Sequence, residues 1–348
     1  MQLWADAAAI VLIALLIDRF AGEPSNRFHP LRWIGNLLDR IDSAVGDRGR
    51  KAVKWGFLAY VTVFLMVLVA TLAVTAATRM AFSATGIAWA LPLGMTVSLG
   101  EIAWVAVSGV FLKFTFSIFS FREHCTPIQD DLRAGRVTDA ADKVRMIVSR
   151  DTAGMDAVHI ASSCCETVTE NLVDSVVSPA LYGGLLGIPG AIMFRCANMM
   201  DAMWGYLNGR YGNLGFFVAR FDDLLGYLTS RLSPYLVACA ARLMGLKGHP
   251  SILDAAREEH AKTPSPNSGY PMAACAAALG ISMEKQGVYV IGTGESPTVD
   301  DISRCCRLVE LTAVLSVLAV MLPLYALTGI HVQVFLENMI EGVLRCLL

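Results

Sequence analysis

The chain has 348 residues, and its 28 Lys+Arg against 30 Asp+Glu leave a formal net charge of -2 with histidine neutral, which argues against a nucleic-acid partner held by bulk charge. Apolar residues make up 55% of the chain and charged residues 17%. With a mean hydropathy of +0.53, that is more apolar surface than one soluble core hides, and it marks an integral membrane protein rather than a disordered, collagenous or disulfide-built one.

Met1 to Asp6 carries an acid and no Lys or Arg ahead of the first apolar stretch, so a cleavable signal peptide is not expected. Leu3 to Ile17 reads as a short first span or an interfacial helix. Trp55 to Ala77 holds no charged residue and is long enough to cross the hydrocarbon. Gly86 to Phe121 is apolar but broken by Pro92, Gly94, Gly100 and Glu101, and reads as one net crossing. The reason is charge: Arg19, Arg27, Arg32, Arg40, Arg48, Arg50, Lys51 and Lys54 precede the second span, while Arg122, Arg133, Arg136, Lys143, Arg145 and Arg150 follow Phe121. The positive-inside bias puts both segments in the cytoplasm. Leu311 to Ile330 is a last span kinked at Pro323, and Val332 to Leu348 reads as an amphipathic interfacial tail. Val176 to Met193 and Leu224 to Leu246 are also apolar, and are either re-entrant or surface segments or ordinary core helices.

These readings give an all-α, polytopic integral membrane protein with about four transmembrane helices and a helical cytoplasmic region. Residues 1–121 form an N-terminal membrane region with a basic cytoplasmic loop at 18–54, residues 122–310 a cytoplasmic or membrane-peripheral region, and residues 311–348 a C-terminal membrane helix and tail. The nine cysteines include no C-x-x-C, and read as small buried thiols in a reducing compartment. The six histidines show no metal spacing.

Asp130 to Ser149 reads as short amphipathic helices, ending in Arg150-Asp151-Thr152. Next, Glu166, Glu170 and Asp174 are four apart, so a helix places them in one acidic stripe with Asn171 beside it. Like charges at that spacing repel, and with no lysine interleaved the stripe either faces a cation or is a solvated face. Further acids, amides and arginines follow among glycines: Arg195, Asn198, Asp201, Asn208 and Arg210, then Arg220, Asp222, Asp223 and Arg231. Oxygen ligands of this kind suit Mg²⁺ and guanidinium forks suit phosphate, so the set points to phosphoryl or nucleotide chemistry. Ser265 to Pro271 is a rigid turn into the small-residue helix MAACAAALG. Gly292 and Gly294 make a glycine-bearing loop, but no Walker cradle exists, so any nucleotide is held differently. His29, before Pro30, sits beside arginines at a membrane boundary.

The chain resembles the CbiB/CobD-type adenosylcobinamide-phosphate synthases, membrane enzymes of cobalamin biosynthesis. The likeness rests on Asp18, Gly22 and Pro24 with HPLRWIG at 29–35, VSRDT at 148–152, ETVTENLVDSVVSP at 166–179, NMMDAMWGYLNGRYGNLG at 198–215, ARFDDLLGYLTSRL at 219–232 and SPNSGYP at 265–271. These blocks are co-linear and cover most of Asp18 to Gly294. Met199, Gly226, Thr229 and Glu284-Lys285 depart from the pattern.

The resemblance implies ATP-dependent amide formation between a propionate carboxylate of adenosylcobyric acid and aminopropanol or its O-phosphate, with Mg²⁺ and the corrinoid as substrate. It assigns Glu166, Glu170, Asp174, Asp201, Asp222 and Asp223 to a metal-binding acid set, and Arg150, Arg195, Arg210 and Arg220 to phosphate clamping. Asn171, Asn198 and Asn267 would orient substrate or ligands, and the base is Asp151, His29 or a surplus acid. It also implies a multi-pass protein of the cytoplasmic membrane with its catalytic region on the cytoplasmic side, in contact with the lipid bilayer and with other cobalamin-pathway enzymes. The alternatives are a small membrane transporter and a corrinoid-binding scaffold without catalysis.

Overall fold

A computed structural model describes residues 2–23, 30–45, 52–90, 96–148, 150–205, 211–246 and 251–347. In chain order the helices are α1 (Gln2–Phe20), α2 (Pro30–Val45), α3 (Ala52–Ser83), α4 (Leu99–Lys113), α5 (Ser120–Arg133), α6 (Val137–Val144), α7 (Ala157–Leu172) and α8 (Ser178–Leu186). They continue as α9 (Ile188–Trp204), α10 (Tyr211–Leu214), α11 (Phe216–Leu243), α12 (Ile252–Glu259), α13 (Gly269–Leu279), α14 (Val299–Leu315), α15 (Leu322–Leu324) and α16 (Ile330–Leu347). Two short antiparallel hairpins interrupt them, β1 (Ala88–Ala90) with β2 (Thr96–Ser98), and β3 (Met283–Lys285) with β4 (Tyr289–Ile291). The all-α class therefore holds.

The chain divides into two compact units. The first comprises 1–117, 179–222 and 317–348, and the second 118–178 and 223–316. In the first, α3 runs for 32 residues, about 48 Å of helix against the ~30 Å of a bilayer's hydrocarbon. Its Leu58, Leu65, Met66 and Val69 stay exposed, the pattern of a helix whose outer face meets an apolar medium. At the ends of α1 and α4, buried Lys113 places its Nζ 3.0 Å from Asp18 Oδ1 and 2.6 Å from Glu23 Oε1. The second unit is built around α7, whose Asp156 N-cap accepts from the His159 amide. Small side chains of α7, α13 and α14, among them Cys165, Ala274 and Cys305, fill its core.

Among the described residues two helical segments are long and apolar enough to cross a membrane, Ala52–Ser83 and Val299–Cys346. The crossing expected over Gly86 to Phe121 takes another form: a hairpin, β1–β2, followed by α4, whose 15 residues fall below the ~20 of a full span. Pro92 and Gly94, which break the run, lie outside the described residues. The tail from Val332 also differs from the interfacial helix expected of it. It continues the helix from Val299 and turns Gln333 and Glu337, both fully buried, into the interior of the first unit. Val176 to Met193 is a broken helix, α8 and α9 meeting at Gly187.

Candidate active site

The best-formed polar cluster belongs to the second unit, where α7 and the β3–β4 hairpin carry it. Ser162 fixes the hairpin to the helix, accepting from the Glu284 amide at 2.7 Å. One turn further along α7, the Glu166 side chain is only 4% exposed, and a carboxylate so placed needs partners. Arg150 supplies the first, its Nη2 donating to Glu166 Oε2 at 2.9 Å and to Ser163 Oγ at 2.8 Å. Lys285 Nζ lies 3.9 Å from Glu166 Oε1, and the Tyr289 phenol lies near the same carboxylate.

Arg150 is not saturated by these contacts. Its Nε and Nη1 are buried and have no hydrogen-bond partner. Leaving guanidinium N–H groups buried and unmade is costly, so two donors held this way are suited to an incoming oxyanion. Glu170 lies one turn beyond Glu166. Burial first, and then the Glu166 charge, push its carboxyl above the ordinary carboxylate range. Burial, followed by the charges of Glu166 and Glu170, likewise pushes the Tyr289 phenol up. At the head of α7, His159 Nδ1 sits 2.7 Å from Asp156 Oδ1, and its Nε2 is 3.8 Å from Glu284 Oε2. The amide and then the ring of His159 hold the Asp156 carboxyl below its usual range.

The structure therefore joins Arg150, Glu166 and Glu170, and adds Lys285 and Tyr289, which had not been assigned a role. Asp174 follows α7, which ends at Leu172, and sits in the π-turn Val173–Val177, whose wider winding departs from the four-residue spacing. Asn171 donates to the Thr167 carbonyl of its own helix. Asp151 is exposed, and its Oδ1 accepts from the Ala153 amide. Asn267 ties the loop before α13 to α11, donating to the Asp223 carbonyl and accepting from Ser230, a positioning contact within the fold.

The other acids and arginines divide between the units. Asp223 lies in the second, whereas Arg195, Asn198, Asp201, Arg220 and Asp222 lie in the first. There Arg195 donates to Asn198 Oδ1 at 3.1 Å, and Arg220 lies over the Phe216 ring. Among the described residues no three His, Cys, Asp or Glu side chains gather as a metal-binding group, so the six-acid set is not one preformed cluster. His29 and Arg210 fall outside the described residues.

Fold and cluster together define a mainly α-helical protein with membrane-length helices and a buried arginine–carboxylate centre. A family model described as CobD/Cbib protein matches residues 11–337, and the chain belongs to that family. It is 34% identical over 284 residues to the probable cobalamin biosynthesis protein CobD of Methanothermobacter thermautotrophicus, covering 82% of this chain and 86% of that one. A second relative, the cobalamin biosynthesis protein CobD of Clostridium perfringens, is 28% identical over 295 residues, 84% of this chain and 88% of its own. The probable cobalamin biosynthesis protein CobD of Thermoplasma volcanium is 30% identical over 326 residues, 92% and 99% of the two chains. No solved structure matches the chain. Membership of the family fits a role in cobalamin biosynthesis.

Proposed function

We propose that the chain is an ATP-dependent amide ligase that joins aminopropanol or its O-phosphate to a propionate carboxylate of adenosylcobyric acid. The observation that carries this reading is Arg150, whose Nε and Nη1 are buried without a partner beside two carboxylates of one helix. A propionate carboxylate is a poor electrophile, and its oxygen must first take a phosphoryl group from ATP as ADP leaves. The amine nitrogen then attacks the acyl carbon, and phosphate departs with that oxygen. Arg150 fits the equatorial phosphate oxygens, where charge is greatest during transfer. Glu166 holds Arg150 in place, and Lys285 and Tyr289 hold Glu166.

The oxygen donors here fit Mg²⁺, which commonly takes one or two protein carboxylates and completes its shell with water and phosphate. Glu166 and Glu170 would hold it, and bound there it would neutralise phosphate charge. On this reading the protein is a multi-pass protein of the cytoplasmic membrane with this site facing the cytoplasm. The two membrane-length helices and the basic residues that follow Phe121 support that arrangement.

The test is an assay of the purified full chain with ATP, Mg²⁺, adenosylcobyric acid and either amine, following ADP and the amide product. Turnover that falls at least about a hundredfold in Arg150→Gln is expected, the size of losing one transition-state donor pair. No turnover with either amine, together with corrinoid flux in liposomes, would favour a transporter. Tight corrinoid binding without ATP cleavage would favour a scaffold.

A further inference from the structure

The first unit contains a polar seam that this reading does not use. On α16, Gln333, Glu337 and Glu341 recur every four residues and so share one face of the helix. At one end, a vestibule of about 550 Å³ is lined by Arg79, Ser83, Ser98, Glu101, Glu341 and Arg345. Its floor is the Arg79–Glu341 ion pair at 2.7 Å. One helical turn inward, Glu337 is fully buried. Trp104 Nε1 donates to its Oε2 at 2.7 Å, and Gln333 Nε2 donates to its Oε1 at 3.1 Å. The Thr75 hydroxyl is also within hydrogen-bond reach of this carboxyl group. Among the described residues no cation lies within ion-pair distance of Glu337, and a carboxyl group buried without a counter-ion favours taking up a proton over carrying its charge.

We propose that Glu337 is a proton-binding site in the interior of the membrane unit, exchanging with water through the Arg79–Glu341 vestibule. The O–H bond formed at Glu337 is balanced by one broken on a hydronium in the vestibule, and no electron transfer is involved. Gln333 passes the state on. Its Nε2 also reaches Ser108 Oγ, while its Oε1 accepts from the Tyr325 hydroxyl at 2.7 Å and from the Ile188 amide at 3.4 Å, beside the break between α8 and α9. Loss of the proton would place a negative charge on a chain of hydrogen bonds that ends at that break. The titratable and charged groups facing the seam are Arg79 from α3, Glu101 from α4, Asp6 from α1 by way of Tyr325, and Glu341 and Arg345 from α16 itself. An ionisable side chain inside a membrane unit is rarely without a task, and this one stands apart from the ligase cluster in the second unit.

The test is infrared spectroscopy of the full chain in lipid vesicles, titrated with pH and transferred to D₂O, with no substrate present. Wild type should show an un-ionised carboxyl band at neutral pH that shifts within minutes in D₂O. A component of the band should be lost in Glu337→Gln and move in frequency in Glu337→Asp, which separates it from the buried Glu170 carboxyl. If Glu337→Gln does not fold, wild type and Glu337→Asp carry the test alone. Absence of the band at neutral pH overturns the proposal, because the carboxyl would then be anionic. A band that does not respond to D₂O overturns it as well, because the group would then be a sealed packing contact. Neither outcome bears on the ligase assay.

Discussion

Arg150 makes its contacts through Nη2, and the nitrogens left over, Nε and Nη1, donate in different directions from one rigid plane. Lysine keeps the charge and loses the fork, so Arg150→Lys should retain the Glu166 pair while weakening nucleotide binding by about 1.5–3 kcal/mol, read as an increase of tenfold or more in KM for ATP. Glu170 gives a different signature. Its pKa is raised in the fold, so the native state holds the proton more tightly than the unfolded chain does. That contribution to stability is complete below the ordinary glutamate value and is lost as pH rises through the raised one. Glu170→Gln should therefore unfold at a higher temperature than wild type at neutral pH. The gap should close on acidification into the ordinary carboxylate range, although turnover is lost at every pH. Equal melting curves at neutral pH would contradict the burial assigned to this group. Glu166 and Glu170 were legible in the sequence because four-residue spacing survives along a regular helix, and Arg150 stood out only as a charge in the segment that precedes it. Lys285 and Tyr289 were not, because strands of three residues carry no alternation and the hairpin joins α7 from more than a hundred positions away.

Helices that depart from regular winding account for most of what the sequence hid. Asp174 has the right spacing for the acidic stripe, but the π-turn at Val173–Val177 is a property of packing that no residue pattern announces. The α16 tail illustrates the converse. Polar residues at positions 333, 337 and 341 look alike whether that face meets water or closes against α3 and α4, so amphipathicity gave the right helix and the wrong environment. The α8–α9 break was visible in part, as a glycine- and proline-rich apolar run. Gly187 has φ of 73°, and a Cβ there would lie 2.6 Å from the Gly329 carbonyl oxygen and 3.0 Å from Gln333 Cβ. Gly187→Ala should destabilise the protein by about 3 kcal/mol, the upper end for a strained non-glycine residue. Gly86→Ala is the control, since φ is 69° there but nothing lies within 4 Å of the added carbon. It should cost about 1 kcal/mol. Thermal unfolding of both variants in the same detergent separates backbone strain from the close approach of the two helices.

Across the whole molecule the cysteines report how the interior is built. Six of the nine belong to the second unit's core, where Cys125, Cys164, Cys165, Cys275, Cys305 and Cys306 are all buried. They pack there as small apolar side chains. Burial pushes the Cys275 thiol up, and a hydrogen bond with Cys164 together with burial does the same for Cys125, which suppresses the thiolate that reagents attack. Cys196 is buried in the first unit, whereas Cys239 and Cys346 are exposed. A disulfide-forming dye added to the native full chain in mild detergent should therefore react with two thiols. Unfolding in sodium dodecyl sulfate without reductant should release all nine, since every cysteine is free in the fold. Fewer than nine after unfolding would reveal disulfides and a different redox history. More than three before unfolding would exceed the two exposed thiols and Cys196, and would mean that the helices around α7 open to solvent together with the buried surroundings of Arg150, Glu166 and Glu170. The gathering of six thiols in one core arises from the packing of α5, α7, α13 and α14, which bring together cysteines as far apart in the chain as Cys125 and Cys306.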